Sequence, residues 1–179
     1  HLIKKPIKVK TSLEGEHNIK NIIAAFTVHY CLKEDLEIFS KKLSSQKFYL
    51  RQTKSKWIRG STLINDTYNA NPDSTKKSID LLSKYNKNTI LLLGDMLELG
   101  RFKNKLHKEI GEYARTKGIN YLLGFGQLTK ETVKSFGKGG IFFKDKQELK
   151  DYLKENIKSK DIILIKGSRG MKMERFIDV

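Results

Sequence analysis

The sequence predicts an α/β fold, a mostly parallel sheet with helices on both of its faces. Three observations predict it. Thr89-Ile90-Leu91-Leu92-Leu93 and Ile162-Ile163-Leu164-Ile165 are short, almost wholly apolar runs, and a strand apolar on both sides belongs in a sheet covered on both faces. Strand-like runs alternate with helix-period segments along the second two thirds of the chain, which is the pattern of right-handed βαβ units. Finally, Asp66-Thr67-Tyr68-Asn69-Ala70-Asn71-Pro72-Asp73-Ser74 lies between the apolar run Thr62-Leu63-Ile64 and a helical pattern. That puts an acid and two amides on a strand-to-helix loop, where such sheets place ligand chemistry.

Element by element, Ile7 to Thr11 alternates and reads as a strand, broken by Gly15. Asn18 is expected to cap a helix running to about Leu32, with Ile22, Ala25, Phe26 and His29 on one face. A second short helix, about Glu34 to Leu43, buries Leu36, Phe39 and Leu43, and Ser44-Ser45-Gln46 reads as a linker. Tyr49 to Arg59 reads as a hairpin arm, and Leu63-Ile64 as a buried strand. Pro72 keeps Asn71 out of the helical region. Asp73 or Ser74 is expected to cap a helix reaching Tyr85, with Ile79 and Leu82 inward. After the strand at 89–93 come a helix (Lys105 to Lys117), a strand (Asn120 to Leu123) and a helix (Leu128 to Phe136). A strand (Ile141 to Phe143) and a helix (Asp145 to Ile157, opened by Asp145 and Glu148) follow. The strand at 162–165 leads to a last helix, Met171 to Ile177.

Composition narrows the classes. Hydrophobic residues make up 38% of the 179 and charged residues 31%, which suits a globular chain with a core. No apolar run reaches the length of a membrane span, and no secretory leader pattern opens the chain. The single cysteine, Cys31, excludes an internal disulfide and a multi-cysteine metal site. It lies in an apolar helical stretch and is expected to be buried. Lys and Arg number 36 against 20 Asp and Glu, a net charge of +16. The basic residues are spread along the chain without a long block, so a solvated Lys-rich surface is expected rather than a nucleic-acid interface. The excess also favours anionic ligands such as nucleotide phosphates.

Four motifs occur in order. They are Gly15-Glu16-His17-Asn18-Ile19-Lys20-Asn21; the Asp66–Ser74 loop; Leu93-Gly94-Asp95-Met96-Leu97-Glu98-Leu99-Gly100, followed by His107; and Lys166-Gly167-Ser168-Arg169, followed by Met173-Glu174. Together they resemble the Mur ligases, and within them the branch that adds D-alanyl-D-alanine to UDP-N-acetylmuramoyl-tripeptide. The resemblance implies an ATP- and Mg²⁺-dependent ligase of peptidoglycan synthesis, cytoplasmic and monomeric, that forms an acyl phosphate which the dipeptide amine attacks. It implies that residues 1–46 are the carboxyl-terminal end of a central ATP-binding domain. Residues 47–179 would be the Rossmann-like C-terminal domain.

The same resemblance assigns the site. Asn18 and Asn21 fall on an element that contacts adenine, and an amide offers the donor and acceptor an adenine edge needs. Arg51 falls where an arginine meets ATP phosphates, although Leu50 replaces the usual Gly before it and Arg59 competes for the role. Asp66, Asn69 and Asn71 would face the nucleotide; Asn65 stands where a second acid is common. Asp95, at a strand end, could orient the substrate ammonium or cap a turn. Lys166, Ser168 and Arg169 would meet the dipeptide, with Lys and Arg pairing with its carboxylate. No GxxxxGK[ST] phosphate loop occurs in the chain. The phosphate loop and the metal ligands are therefore expected outside it, and the chain alone is expected to lack ligase activity. Two other readings remain open: a related amide ligase resembling folylpolyglutamate synthases, and a non-catalytic module binding nucleotide or protein.

Overall fold

The computed structural model describes residues 6–11, 16–45 and 52–179. The chain divides into two compact units, His1–Tyr49 and Leu50–Val179.

The amino-terminal unit contains α1 (Glu16–Cys31) and α2 (Leu36–Ser45). α1 begins two residues before Asn18, so Asn18 lies within the first turn instead of capping it. α2 starts later than its apolar pattern suggests. The carboxylate of Asp35 accepts from the backbone N–H of Glu37 at 2.8 Å and of Ile38 at 3.0 Å, and this cap sets the start. Ser44 and Ser45 belong to α2 rather than to a linker; Gln46 and Gly15 lie outside the described residues. Residues 7–11 keep the alternating burial of a strand without joining a ladder among the described residues. They are held instead by hydroxyls of α2, Ser40 Oγ to Lys8 O at 3.2 Å and Ser44 Oγ to Lys10 O at 2.9 Å. Cys31 is exposed, contrary to expectation. It ends α1 beside Tyr30 and Leu32, both also exposed, so among the described residues no core covers the apolar sequence there. Ile7, Val9, Ile19, Ile23, Phe26 and Tyr30 line an open groove of about 950 Å³.

The carboxyl-terminal unit is built on six strands: β1 (Thr53–Lys56), β2 (Thr62–Asp66), β3 (Thr89–Gly94), β4 (Tyr121–Phe125), β5 (Gly140–Phe143) and β6 (Ile162–Lys166). Their order across the sheet is β1-β2-β6-β3-β4-β5. Only the β1–β2 hairpin is antiparallel; the other pairings are parallel. The intervening helices are α3 (Pro72–Ser83), α4 (Lys103–Thr116), α5 (Thr129–Phe136) and α6 (Lys146–Asn156).

Strand alternation sorts the apolar residues into two cores. Ile64, Leu91, Leu93, Leu122 and Leu164 pack with α3, α4 and α5 through residues such as Ile79, Leu82, Ile110 and Phe136. Leu63, Ile90, Leu92, Ile163 and Ile165 pack with Leu149 and Leu153 of α6 and with Met173 and Phe176. α3 to α5 therefore cover one face and α6 the other. The connection reverses direction to bring β6 back between β2 and β3. That reversal is the switch point at which open α/β sheets leave a crevice beyond the carboxyl ends of their strands.

Local chemistry sets the element ends. Asn71 caps α3 and Pro72 is its first residue: Asn71 Oδ1 accepts from Ser74 N–H at 2.8 Å and Ser74 Oγ accepts from Asn71 N–H at 3.1 Å. The cap is thus two or three residues earlier than the sequence suggests. Asp145 caps α6 through Gln147 N–H and Glu148 N–H. The expected last helix is two 3₁₀ turns, Arg169–Met171 and Met173–Phe176, split by Lys172 in the left-handed conformation at φ 48°.

Candidate functional site

The loops after β2, β3 and β6 meet at the switch point. Asp66 and Lys166 are paired in register at the ends of β2 and β6, so their side chains leave the sheet together. Lys166 Nζ donates to Asp66 Oδ2 at 2.7 Å and to the carbonyl of Asn69 at 2.9 Å. Ser78 of α3 donates to the same Asp66 oxygen at 2.7 Å. Both charged side chains are nearly closed to solvent, at 3% and 9% exposure. A buried pair of this kind survives because each charge is hydrogen-bonded as well as paired. Asp66 therefore faces Lys166 and α3, and Lys166 is committed to the β2 loop.

Ser168 is also used internally. Its Oγ accepts from Leu97 N–H at 2.7 Å and donates to Ala70 O at 3.2 Å, while its own N–H donates to Asp95 O at 3.1 Å. One hydroxyl thus ties together the loops after β2, β3 and β6. Asn69 Oδ1 accepts from Ala70 N–H at 2.9 Å and from Arg169 N–H at 3.3 Å. Asn69 and Asn71 remain exposed on the surface of this loop.

Asp95 follows directly on β3 but points at α5. Its Oδ1 accepts from Leu128 N–H at 3.0 Å and Thr129 N–H at 2.9 Å. It is a cap for α5 reached across the sheet, rather than for the turn that follows it in sequence. Gly126, at φ +113°, lets the loop close over this carboxylate, which a Cβ would approach within 2.6 Å. Burial, the largest influence, pushes the Asp95 carboxyl above the usual carboxylate range, against the amide bonds and His107. His107 is fully buried. Its Nε2 accepts from Met96 N–H at 3.0 Å, so Nδ1 carries the proton and donates to Lys103 O at 2.8 Å. Burial lowers its pKa and keeps the ring neutral. The imidazole is thus a rigid strut for the β3 loop.

Arg169 is the member of the Lys166–Arg169 loop that reaches outward, with its side chain 53% exposed. Leu97, itself exposed, stands beside Gly170: a Cβ on that glycine would lie 2.9 Å from Leu97 Cδ1. A guanidinium next to a small apolar wall is suited to a carboxylate carrying short alkyl groups.

The remaining sequence-derived candidates are dispersed. Asn18 is buried and Asn21 exposed, both on α1 of the amino-terminal unit. Arg51 lies outside the described residues. Arg59 sits on the turn that leads into β2, at the opposite end of the strands from the crevice. Its guanidinium donates to Glu155 O at 3.0 Å. Ser78, His107 and Glu174 shape the site without having been assigned roles from sequence. The signal for Ser78 was its place one turn after Ser74 on the helix that follows the Asp66 loop. Among the described residues no group of three His, Cys, Asp or Glu side chains could hold a metal ion. Among the described residues no helix is long and apolar enough to cross a membrane.

Comparison with known proteins gives one consistent picture. The Mur ligase, glutamate ligase domain profile matches residues 51–169. The UDP-N-acetylmuramoyl-tripeptide--D-alanyl-D-alanine ligase of Bacillus subtilis is 36% identical over 172 residues, covering 91% of the chain and 37% of that protein. The ligase of the same name from Buchnera aphidicola (from Acyrthosiphon pisum) is 33% identical, covering 96% of the chain and 38% of the relative. Among solved structures, MurF ligase from Thermotoga maritima in complex with ADP superposes with a TM-score of 0.73 at 28% identity, covering 95% of the chain and 39% of that structure. MurF from Acinetobacter baumannii gives a TM-score of 0.78 at 26% identity over 95% of the chain and 39% of its own length. The chain spans less than two fifths of the curated relatives it matches.

Proposed function

Since the chain belongs to the Mur ligase family, we propose that it supplies the amine-substrate end of an ATP-dependent ligase that joins D-alanyl-D-alanine to UDP-N-acetylmuramoyl-tripeptide in cytoplasmic peptidoglycan synthesis. Residues 1–46 then form the end of the central ATP-binding domain and residues 47–179 the C-terminal domain. The observation that carries the reading is the crevice at the switch point. There Arg169 extends beside Leu97 while Asp66, Lys166 and Asp95 are engaged in holding the motif loops together.

The reaction sets the requirements. ATP phosphorylates the tripeptide carboxylate, ADP leaves, the dipeptide amine attacks the acyl carbon, and phosphate departs as the ammonium-derived proton is released. Catalysis of this kind depends mainly on positioning and on charge stabilisation. In our reading Arg169 holds the dipeptide carboxylate through charge-assisted hydrogen bonds. Leu97 and Gly170 accept its methyl groups. Lys166, Ser168, Asp66 and Asp95 serve as the frame. This revises the roles drawn from sequence: Lys166 and Ser168 act behind the contact surface, and Asp66 and Asp95 act on the protein rather than on nucleotide or ammonium. The adenine contacts of Asn18 and Asn21, the phosphate contact of Arg51 and a nucleotide contact from the exposed amides of Asn69 and Asn71 stand as part of the proposal. Mg²⁺ is assigned no ligand here, since no described cluster fits one.

Titrating the 179-residue chain with D-alanyl-D-alanine and, separately, L-alanyl-L-alanine tests this by amide NMR. The reading expects shifts confined to Leu97, Ser168, Arg169 and Gly170, larger for the D,D dipeptide and lost in Arg169→Ala. Equal shifts for both dipeptides, or none at millimolar concentration, would remove D-alanyl-D-alanine as the ligand.

A further inference from the structure

The Arg169 side chain is about half exposed, and a single guanidinium on a surface turn binds poorly unless it is pre-oriented. One acid orients it. Glu174 Oε1 lies 2.9 Å from Arg169 Nη2. The other oxygen, Oε2, is buried and accepts no hydrogen bond among the described residues. A buried carboxylate oxygen without a donor is costly. An acid kept in that state contributes little to folding, and such local violations concentrate at functional positions.

The backbone around Glu174 is locked. Met173, fully buried, packs so tightly on the ends of β3 and β6 that a Cβ on Gly94 would lie 2.6 Å from its sulfur and one on Gly167 2.5 Å from its Cγ. Phe176 is buried on the other side of Glu174. Arg175 braces the turn by donating from Nε to Lys172 O at 2.9 Å and from Nη2 to Met171 O. A rigid turn therefore presents one carboxylate to one guanidinium. Arg169 has five N–H donors, and an acid that engages one nitrogen leaves others for an incoming carboxylate.

We propose that Glu174 is the positioning residue for Arg169: it pins the guanidinium over the crevice so that the free N–H groups meet the terminal carboxylate of the dipeptide. This rests on the substrate reading above and deepens it. It also makes a prediction of unusual sign. Removing a negative charge beside an anion site should tighten anion binding if charge alone matters; if pinning matters, it weakens it.

The test uses the 179-residue chain, with Glu174→Gln as the isosteric variant and Glu174→Ala as a second one. The probes are D-alanyl-D-alanine and its C-terminal amide, which lacks the carboxylate. Pinning predicts that the wild-type chain prefers the acid by roughly tenfold, about the worth of one charge-assisted hydrogen bond, and that both variants lose most of this preference by weakening acid binding alone. Pinning also predicts slowed rotation of the Arg169 guanidinium by ¹⁵N NMR without ligand, and its release in both variants. Unchanged or tighter acid binding in the variants overturns the proposal, as does an Arg169 signal that ignores the substitutions. A wild-type chain that ignores the dipeptide sinks the substrate reading instead, and the ligand-free Arg169 signal then still decides whether Glu174 pins it.

Discussion

The two units of this chain use their apolar sequence very differently. In the carboxyl-terminal unit the strands β3 and β6 are buried at every residue, and their side chains feed two cores. In the amino-terminal unit the buried side chains among the described residues are Asn18 and Ser40, both polar, while Ile19, Ile23, Val28, Leu32 and Ile38 are exposed. An amphipathic helix gains its stability from what covers its apolar stripe. The difference teaches that helical periodicity in a sequence reports a capacity for burial, and only the tertiary surroundings turn it into burial.

Five substitutions or conditions would break or sharpen this contrast, read by urea unfolding of the whole chain. Lys166→Met has the largest expected effect. It strands Asp66 as an uncompensated buried carboxylate, and losing one partner of such a pair costs about 4 kcal/mol; a loss below 1 kcal/mol would mean that the pair is solvated. Leu164→Ala removes a side chain at the centre of the sheet and should cost about 3 kcal/mol. Asp95→Ala should cost about 1–2 kcal/mol by uncapping α5. Asp95→Asn, which keeps the accepting oxygen, should be much milder because burial disfavours the charge there. Equal losses for the two Asp95 variants would show that the charge, rather than the cap, matters.

The fourth is a pH effect with a fixed sign. The folded-state pKa of His107 is lowered by burial, so the unfolded chain binds the proton more readily. Its contribution to stability is complete above the unfolded value of about 6.5 and declines as pH falls through that value. Between about pH 7.5 and 5.5 the wild-type chain should lose more stability than His107→Gln, which has no group titrating there. Parallel curves would exclude His107 as the source. Last and smallest, Ile23→Ala in α1, exposed at 60%, should change stability by less than about 0.5 kcal/mol. A loss comparable to that of Leu164→Ala would show that α1 is covered in solution.

The sheet was legible because burial on both faces leaves a plain record. Runs such as Ile162–Ile165 have no polar face to confuse their period, and the helices between them are long enough to show theirs. The ends were less legible. Asp145 was read correctly as the start of α6, but Asp35 and Asn71 set helix starts through individual hydrogen bonds that the sequence does not single out among neighbouring capping residues. At the site, the motifs marked loops that the fold brings together beyond β2, β3 and β6, yet residue type alone could not say which side chains bond to one another there. Nothing in the sequence says that Lys166 and Asp66, a hundred positions apart, are partners; that is visible only once their strands are seen to be neighbours. Cys31 and the residues around it show the same limit in reverse, since an apolar context in sequence was not a buried context in space.

The order of the strands has a consequence for how the sheet comes into being. β6 lies between β2 and β3 and is the last of the six to be synthesised. Until it leaves the ribosome, the nascent chain holds a two-stranded piece and a three-stranded piece with no hydrogen-bonded seam between them, each offering an open edge. Such edges invite pairing with other chains. The Asp66–Lys166 pair closes in the same event, so assembly of the sheet and assembly of the crevice are one step, taken only once translation has passed residue 166.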